Sequence, residues 1–276
     1  MNHLFCKKRP RSQIIYFILM IIALNYIYFV RTMGTSIILA IMIYLGILCV
    51  QKGLTLLKSK RKNDETTVQT GNKQALFSHL IILCVVIASF AGAKTAWDMR
   101  NKSIGVTSSD YLKDFKKKPK GETMTTFSDW TERIENNLVS YVGKWIPTAI
   151  ISDEPGFDEK VTTSGLIEGI CILIIVLLGL ITLKKMQLLL FLYIGITMAV
   201  LMIWPEQYAG HRYFIGIIPL FIFLFLNGCL EIMNTITKKL SLGKYQHVIP
   251  AGGLIVFLVF FMFPHYAKAL KPQQNF

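Results

Sequence analysis

The sequence predicts an all-α fold, a polytopic membrane helix bundle with about seven transmembrane helices and an external amphipathic helix. Three observations predict it. Apolar segments of roughly 16 to 20 residues recur along the 276-residue chain, each able to cross a hydrocarbon core of about 30 Å as a helix. Lys and Arg gather in alternate short loops. One polar stretch between segments carries apolar residues at helical spacing.

The segments run Gln13–Val30, Met33–Val50, Ala75–Ala93, Leu166–Leu183, Met186–Trp204, Tyr213–Leu230 and Val248–Phe263. Lys7, Lys8, Arg9 and Arg11 before the first give it the outline of a signal peptide. Its apolar run is too long, however, and Tyr28-Phe29-Val30-Arg31 offers no small-residue cleavage site, so it reads as a retained helix.

Basic residues orient the spans. With the amino terminus inside, the short cytoplasmic segments hold fifteen of them, including Lys58, Lys60, Arg61, Lys62, Lys184, Lys185, Lys238 and Lys239, against four in the short external segments. The carboxy terminus is then extracytoplasmic, in a plasma or inner membrane. The long loop from about Lys94 to Gly165 is also external; long loops cross largely regardless of their charge. The net charge of +14 therefore reflects loops facing anionic lipid rather than nucleic acid, for which no motif is present. Of the five cysteines, Cys49, Cys84, Cys171 and Cys229 lie in apolar helices and Cys6 precedes them. No pair has metal-ligand spacing.

Four regions follow: residues 1–57 as an amino-terminal helical hairpin, 58–74 as a solvated cytoplasmic linker, 75–165 as the third span with its external loop, and 166–276 as four spans with a short external tail. In the loop, Phe127, Trp130, Ile134, Leu138, Tyr141, Val142 and Trp145 recur at spacings that mark one face of a helix. Thr126 or Ser128 can cap it, Asp129 and Glu132 suit its positive end, Gly143 weakens it and Pro147 stops it. Arg133, Glu135, Asn136 and Asn137 form its polar face. The expectation is a helix over about 127–142 lying on the bilayer or the bundle. No acidic residue stands at mid-membrane depth, which argues against a proton-coupled transporter.

Chemistry concentrates in the external turn Trp204–Tyr213. Arg212 stands just before the next apolar segment, where its planar fork and the helix amino terminus suit a lipid phosphate. His211 and Glu206 are the acid-base candidates there. Arg100, after the third span and near Asp98, and Arg31, between the first two, lie at the same outer level. Anchoring of helices explains each arginine singly; a phosphate-binding surface explains them together.

The stretch Trp204–Gly228, with Trp204-Pro205, Arg212-Tyr213 and Pro219, resembles the late transmembrane region of membrane glycosyltransferases with the C-type fold, the group of protein mannosyltransferases and the aminoarabinose transferase of lipid A. Thr95–Asn101 with Thr107-Ser108-Ser109 resembles a loop boundary of those families, with Ala96 where they usually carry Pro. The Arg133…Asn137 helix and Arg31 also resemble features of the group. The resemblance implies transfer of a sugar from a polyprenyl-phosphate donor on the extracytoplasmic face, with Arg212, Tyr213, Arg100, Arg31 and His211 at the substrate. It also exposes a gap. The family's catalytic carboxylate lies in a long first external loop, and here that loop is Arg31-Thr32. The chain thus resembles only the later half of the fold. It is expected to be a carboxy-terminal fragment, a split product needing an amino-terminal catalytic half, or a degenerate homologue. Glu206 and Asp98, with Asp110 and Asp114 behind them, are the fallback carboxylates. No cofactor is identified, and a divalent metal at the phosphate would have no ligand cluster in the sequence. Two alternatives stand beside it: a non-catalytic accessory subunit, which needs no catalytic carboxylate, and a polysaccharide polymerase or flippase.

The topology has a direct test. A cysteine at Ser109 should be labelled by an impermeant maleimide from outside, and one at Thr66 only after permeabilisation; labelling of both from one side overturns the orientation.

Overall fold

A computed structural model of the chain describes residues 10–30, 34–62, 66–105, 124, 126–150, 160–184, 186–205 and 214–240, with single positions 252, 253, 255 and 259. Its elements are α1 (Pro10–Val30), α2 (Thr35–Lys62), α3 (Thr66–Ser103), α4 (Phe127–Ser140), a π-helical turn (Tyr141–Trp145), α5 (Ile146–Ile150), α6 (Thr163–Thr182), α7 (Gln187–Ile203) and α8 (Ile218–Lys239). Among the described residues there is no strand. Among the described residues, four helical segments are long and apolar enough to cross a membrane: Thr35–Lys58, Gly71–Ser103, Thr163–Thr182 and Ile218–Lys239. Ile15–Tyr28 and Gln187–Ile203 are shorter apolar helices. This is the make-up of an integral membrane protein. The expected span 248–263 falls outside the described residues except at four positions.

The chain divides into two compact units, Met1–Lys113 with Leu192–Thr197, and Asp114–Phe191 with Met198–Phe276. In the first, Leu24, Tyr28, Ile38, Leu45 and Val86 form the core. Tyr28 meets the edge of Phe90 with ring centroids 5.2 Å apart. Polar groups inside these helices find partners close by. Asn25 donates to the Ile21 carbonyl at 2.8 Å and to the Ser89 hydroxyl. Thr197 donates to Ser36 Oγ at 2.9 Å. Ser78 and Thr95 bond the carbonyl four residues back, and so are satisfied where water is absent.

The stretch 58–74, expected as a solvated linker, is helical where it is described. α2 continues to Lys62 and α3 begins at Thr66. Once a helix is nucleated, adding a residue fixes little and gains a hydrogen bond, and the Lys and Leu residues of Gly53–Lys62 are good helix formers. The two arms are tied where Lys52 Nζ donates to Asn72 Oδ1 at 3.4 Å. With 38 residues, α3 is about 57 Å long at 1.5 Å per residue.

In the second unit, α6 packs on α8 through glycine. A Cβ on Gly179 would overlap the Leu224 carbonyl oxygen, and one on Gly228 the Ile175 carbonyl oxygen. Such close backbone approach is how small residues join helices in lipid, where apolar burial between helices gives no driving force. Asn227 Nδ2 seals the crossing, donating to the Gly179 carbonyl at 2.8 Å and to Thr182 Oγ1 at 2.6 Å. Ile172, Val176, Leu180, Phe221, Leu224 and Phe225 fill the space around it.

Two sequence expectations change here. The external helix does not stop near residue 142: it passes through Gly143 and Pro147 as the π turn and α5. The Ile146 N–H bonds the Tyr141 carbonyl, five residues back. The wider turn lets Pro147 occupy the first turn of α5, where a missing N–H costs nothing. Likewise α8 starts at Ile218 rather than Tyr213, with Pro219 in its first turn; Arg212 lies outside the described residues.

The glycine contacts predict a contrast. Gly179→Ala and Gly228→Ala should each destabilise the protein by about 1–3 kcal/mol through overpacking. Gly195, beside which a Cβ meets nothing, should tolerate Ala with no loss. Thermal unfolding in detergent checks both; equal midpoints for all three variants overturn the assignment.

Candidate functional site

The second unit gathers buried polar groups along one stripe. Arg133, Asn137, Tyr141, Lys144 and Thr148 recur every three or four residues through α4, the π turn and α5, and all five are buried. α4 begins with a reciprocal cap. Asp129 N–H donates to Thr126 Oγ1 at 3.3 Å, and Thr126 N–H donates to Asp129 Oδ2 at 3.0 Å. This satisfies two backbone donors at the helix start and bears out Thr126 as the cap.

The expected polar face of α4 splits: Glu135 and Asn136 are exposed, whereas Arg133 and Asn137 are buried, at 2% and 1% exposure. Of the expected apolar face, Phe127 is 83% and Leu138 47% exposed. The reason is the end of α7. The last carbonyls of a helix have no partner within it, and Asn137 supplies one. Its Nδ2 lies 3.3 Å from the Leu201 oxygen, 2.8 Å from the Met202 oxygen and 2.7 Å from the Trp204 oxygen. An apolar residue at 137 would leave those acceptors buried. Trp145, Tyr141 and Val142 of the expected apolar face do turn inward, because the π turn rotates them onto α6.

That contact is again built on glycine. A Cβ on Gly169 would overlap the Val142 carbonyl oxygen, and one on Gly165 the Gly143 carbonyl oxygen. The Gly143 carbonyl is the one that a proline at 147 leaves without its α-helical donor. Aromatic rings extend the packing to α8: Tyr141 and Phe214 have centroids 6.0 Å apart, and Phe214 meets the edge of Phe221 at 5.1 Å.

Both buried cations lie over indole rings. The Arg133 guanidinium carbon is 5.4 Å from the Trp130 centroid, and Lys144 Nζ is 4.9 Å from that of Trp145. A cation over an aromatic face is favourable by about 2 kcal/mol when desolvated. Thr148 Oγ1 donates to the Lys144 carbonyl at 2.7 Å.

The residues singled out in the sequence are placed as follows. Arg100 is exposed in the last turn of α3, 5.1 Å from the Trp97 ring centroid. Asp98 is exposed and stands 3.9 Å from Lys94 Nζ, one turn away, a surface pair that contributes little. Arg31, Glu206, His211, Arg212 and Tyr213 lie outside the described residues, as do Asp110 and Asp114. Sequence reasoning missed Arg133, Asn137 and Lys144 as inward-facing groups. Their recurrence with Tyr141 and Thr148 at helical spacing was the available signal. Among the described residues no three His, Cys, Asp or Glu side chains come together as a metal would require. No family model matches the chain, and neither a curated protein nor a solved structure matches it.

Asn137 makes the sharpest prediction for this site. Asn137→Leu should cost about 1–3 kcal/mol by leaving buried acceptors unpaired and should speed proteolysis within 205–213. Asn137→Gln should fall between it and the native chain. An unchanged melting midpoint and cleavage rate for Asn137→Leu would overturn the capping role.

Proposed function

We propose that this protein is a membrane glycosyltransferase, or the carboxy-terminal half of one, acting on a polyprenyl-phosphate sugar at the extracytoplasmic face. One observation supports the reading above the others: the hydrogen bond from Asn137 to the Trp204 carbonyl. It joins two separate pieces of the family resemblance, the Arg133…Asn137 helix and Trp204-Pro205. It also anchors Trp204, two residues before Glu206 in the chain.

Sugar transfer from a lipid phosphate needs a base for the acceptor hydroxyl and cations for the leaving phosphate. In this reading Arg212 holds the phosphate and Tyr213 and His211 flank it. Asn137 is a positioning residue that holds Trp204. Arg100 and Arg31 are helper cations. The base comes from Glu206 or Asp98, or from an amino-terminal catalytic half.

Binding is the test that does not depend on that missing half. The full chain in lipid nanodiscs should bind a polyprenyl phosphate saturably and more tightly than the uncharged polyprenol. Loss of a charged hydrogen bond costs about 1.5–3 kcal/mol, so Arg212→Ala should weaken binding about ten- to a hundredfold. Arg212→Lys should recover only part, since an ammonium lacks the fork. Equal binding of phosphate and alcohol, or full binding by Arg212→Ala, overturns the phosphate role. Phosphate binding without sugar transfer when extracts supply other envelope proteins would instead favour an accessory subunit.

A further inference from the structure

α4 has three faces rather than two. At roughly 100° per residue, Asp129, Arg133, Asn137 and Ser140 occupy one arc, and these are buried or half-buried. A second arc holds Phe127, Ile134 and Leu138, all exposed. A third holds Ser128, Glu132, Glu135 and Asn136, also exposed, with Val139 the one apolar residue among them. The arcs are centred roughly 120° apart.

The first arc is accounted for by the packing on α7. A helix with two exposed arcs of opposite character needs two different surroundings. Water accounts for the carboxylates of Glu132 and Glu135. It does not account for Phe127, Ile134 and Leu138, since fully burying such side chains is favourable by about 1.5–3 kcal/mol each. The unit that carries α4 already has a surface of the same kind. α6, one of the four long apolar helices, exposes Ile167, Ile170, Ile174 and Ile181 on one side, as a membrane span does to acyl chains.

We infer that α4 is a monotopic element set into the membrane boundary, with the Phe127–Ile134–Leu138 arc in contact with lipid acyl chains, the Glu132–Glu135 arc in water, and the Arg133–Asn137 arc sealed against the protein. The occupant of the apolar arc is lipid. The apolar arc carries no charge, and the hydroxyl at its edge, that of Thr131, already donates to the Ser128 carbonyl, so this arc offers apolar contact like that of α6. Burial of Arg133 follows from the same arrangement, since an arginine turned toward acyl chains is costly, and against the bundle it lies over Trp130. The inference does not depend on the proposed activity.

Collision accessibility tests it. Nitroxide labels go on single cysteines replacing Ile134, Leu138, Glu132 and Glu135, in a full chain whose five native cysteines are changed to alanine, in phospholipid nanodiscs. Labels at 134 and 138 should favour oxygen over a water-soluble nickel chelate several-fold more than labels at 132 and 135. A chelate preference at all four positions would place the whole helix in water. Exclusion of both agents at 134 and 138 would put a protein on that face. Either result overturns the inference. Photolabelling of the unmodified protein by a diazirine on a lipid acyl chain gives a second readout free of folding effects. Adducts are expected at Phe127, Ile134 or Leu138, and their absence there, with adducts on α6, also overturns it.

Discussion

The carbonyl groups at the end of α7 set the architecture of the second unit. A helix that ends near a membrane leaves backbone acceptors where water is scarce. Here the two N–H groups of one amide, that of Asn137, are shared among the Leu201, Met202 and Trp204 carbonyls, the first of which also accepts the Trp204 N–H. Meeting that demand fixes the rotation of α4 about its own axis. With Asn137 turned inward, Arg133 is carried inward one turn before it, and Phe127 and Leu138 are carried outward. The π turn and the glycines of α6 then hold the following segment at backbone contact distance. Rotation of α4 and closeness of the π turn to α6 are thus two solutions to one problem, the pairing of polar backbone at the edge of an apolar solvent.

Much of the helical skeleton is legible in the sequence, because it depends on runs and caps. Leu166–Leu183 and Met186–Trp204 match α6 and α7 to within a few residues, and the Thr126 cap with Asp129 is a local signal that the structure keeps. Less legible was which polar residues of α4 turn inward: Arg133 and Asn137 do, Glu135 and Asn136 do not. A helical wheel separates apolar from polar residues, but equating apolar with buried holds only when the surroundings are water. Pro147 misled for a related reason. The rule that proline ends a helix treats the lost hydrogen bond as fatal, whereas a π turn before it moves the proline into a first turn. Residues 58–74 read as a linker by composition, and the two helices extend into it from either end.

The candidate site was legible in one part and hidden in another. Arg100 and Asp98 stand out in the sequence as charges near a membrane boundary, yet each meets a neighbour on its own helix, Trp97 and Lys94. Arg133, Asn137 and Lys144 were visible only as ordinary polar residues of a surface helix. Nothing in their identity shows that α7 would end beside them, since residues 137 and 204 meet only in the folded chain. A hydrogen bond between such distant positions is the kind of constraint that local periodicity does not carry.

The π turn has a consequence for how this protein can vary over evolutionary time. Such a turn holds one residue more than an α turn, so Tyr141–Trp145 carries a length that the neighbouring helices do not share. Losing one residue there would rotate everything after it by roughly 100° and return Pro147 to a helix interior. Gaining one would do the reverse. Most loops between spans absorb insertions and deletions freely, but this short segment ties chain length to orientation. Related chains should differ here by substitution rather than by count, and a homologue with a different spacing between Asn137 and Pro147 should also lack the glycine pair at 165 and 169.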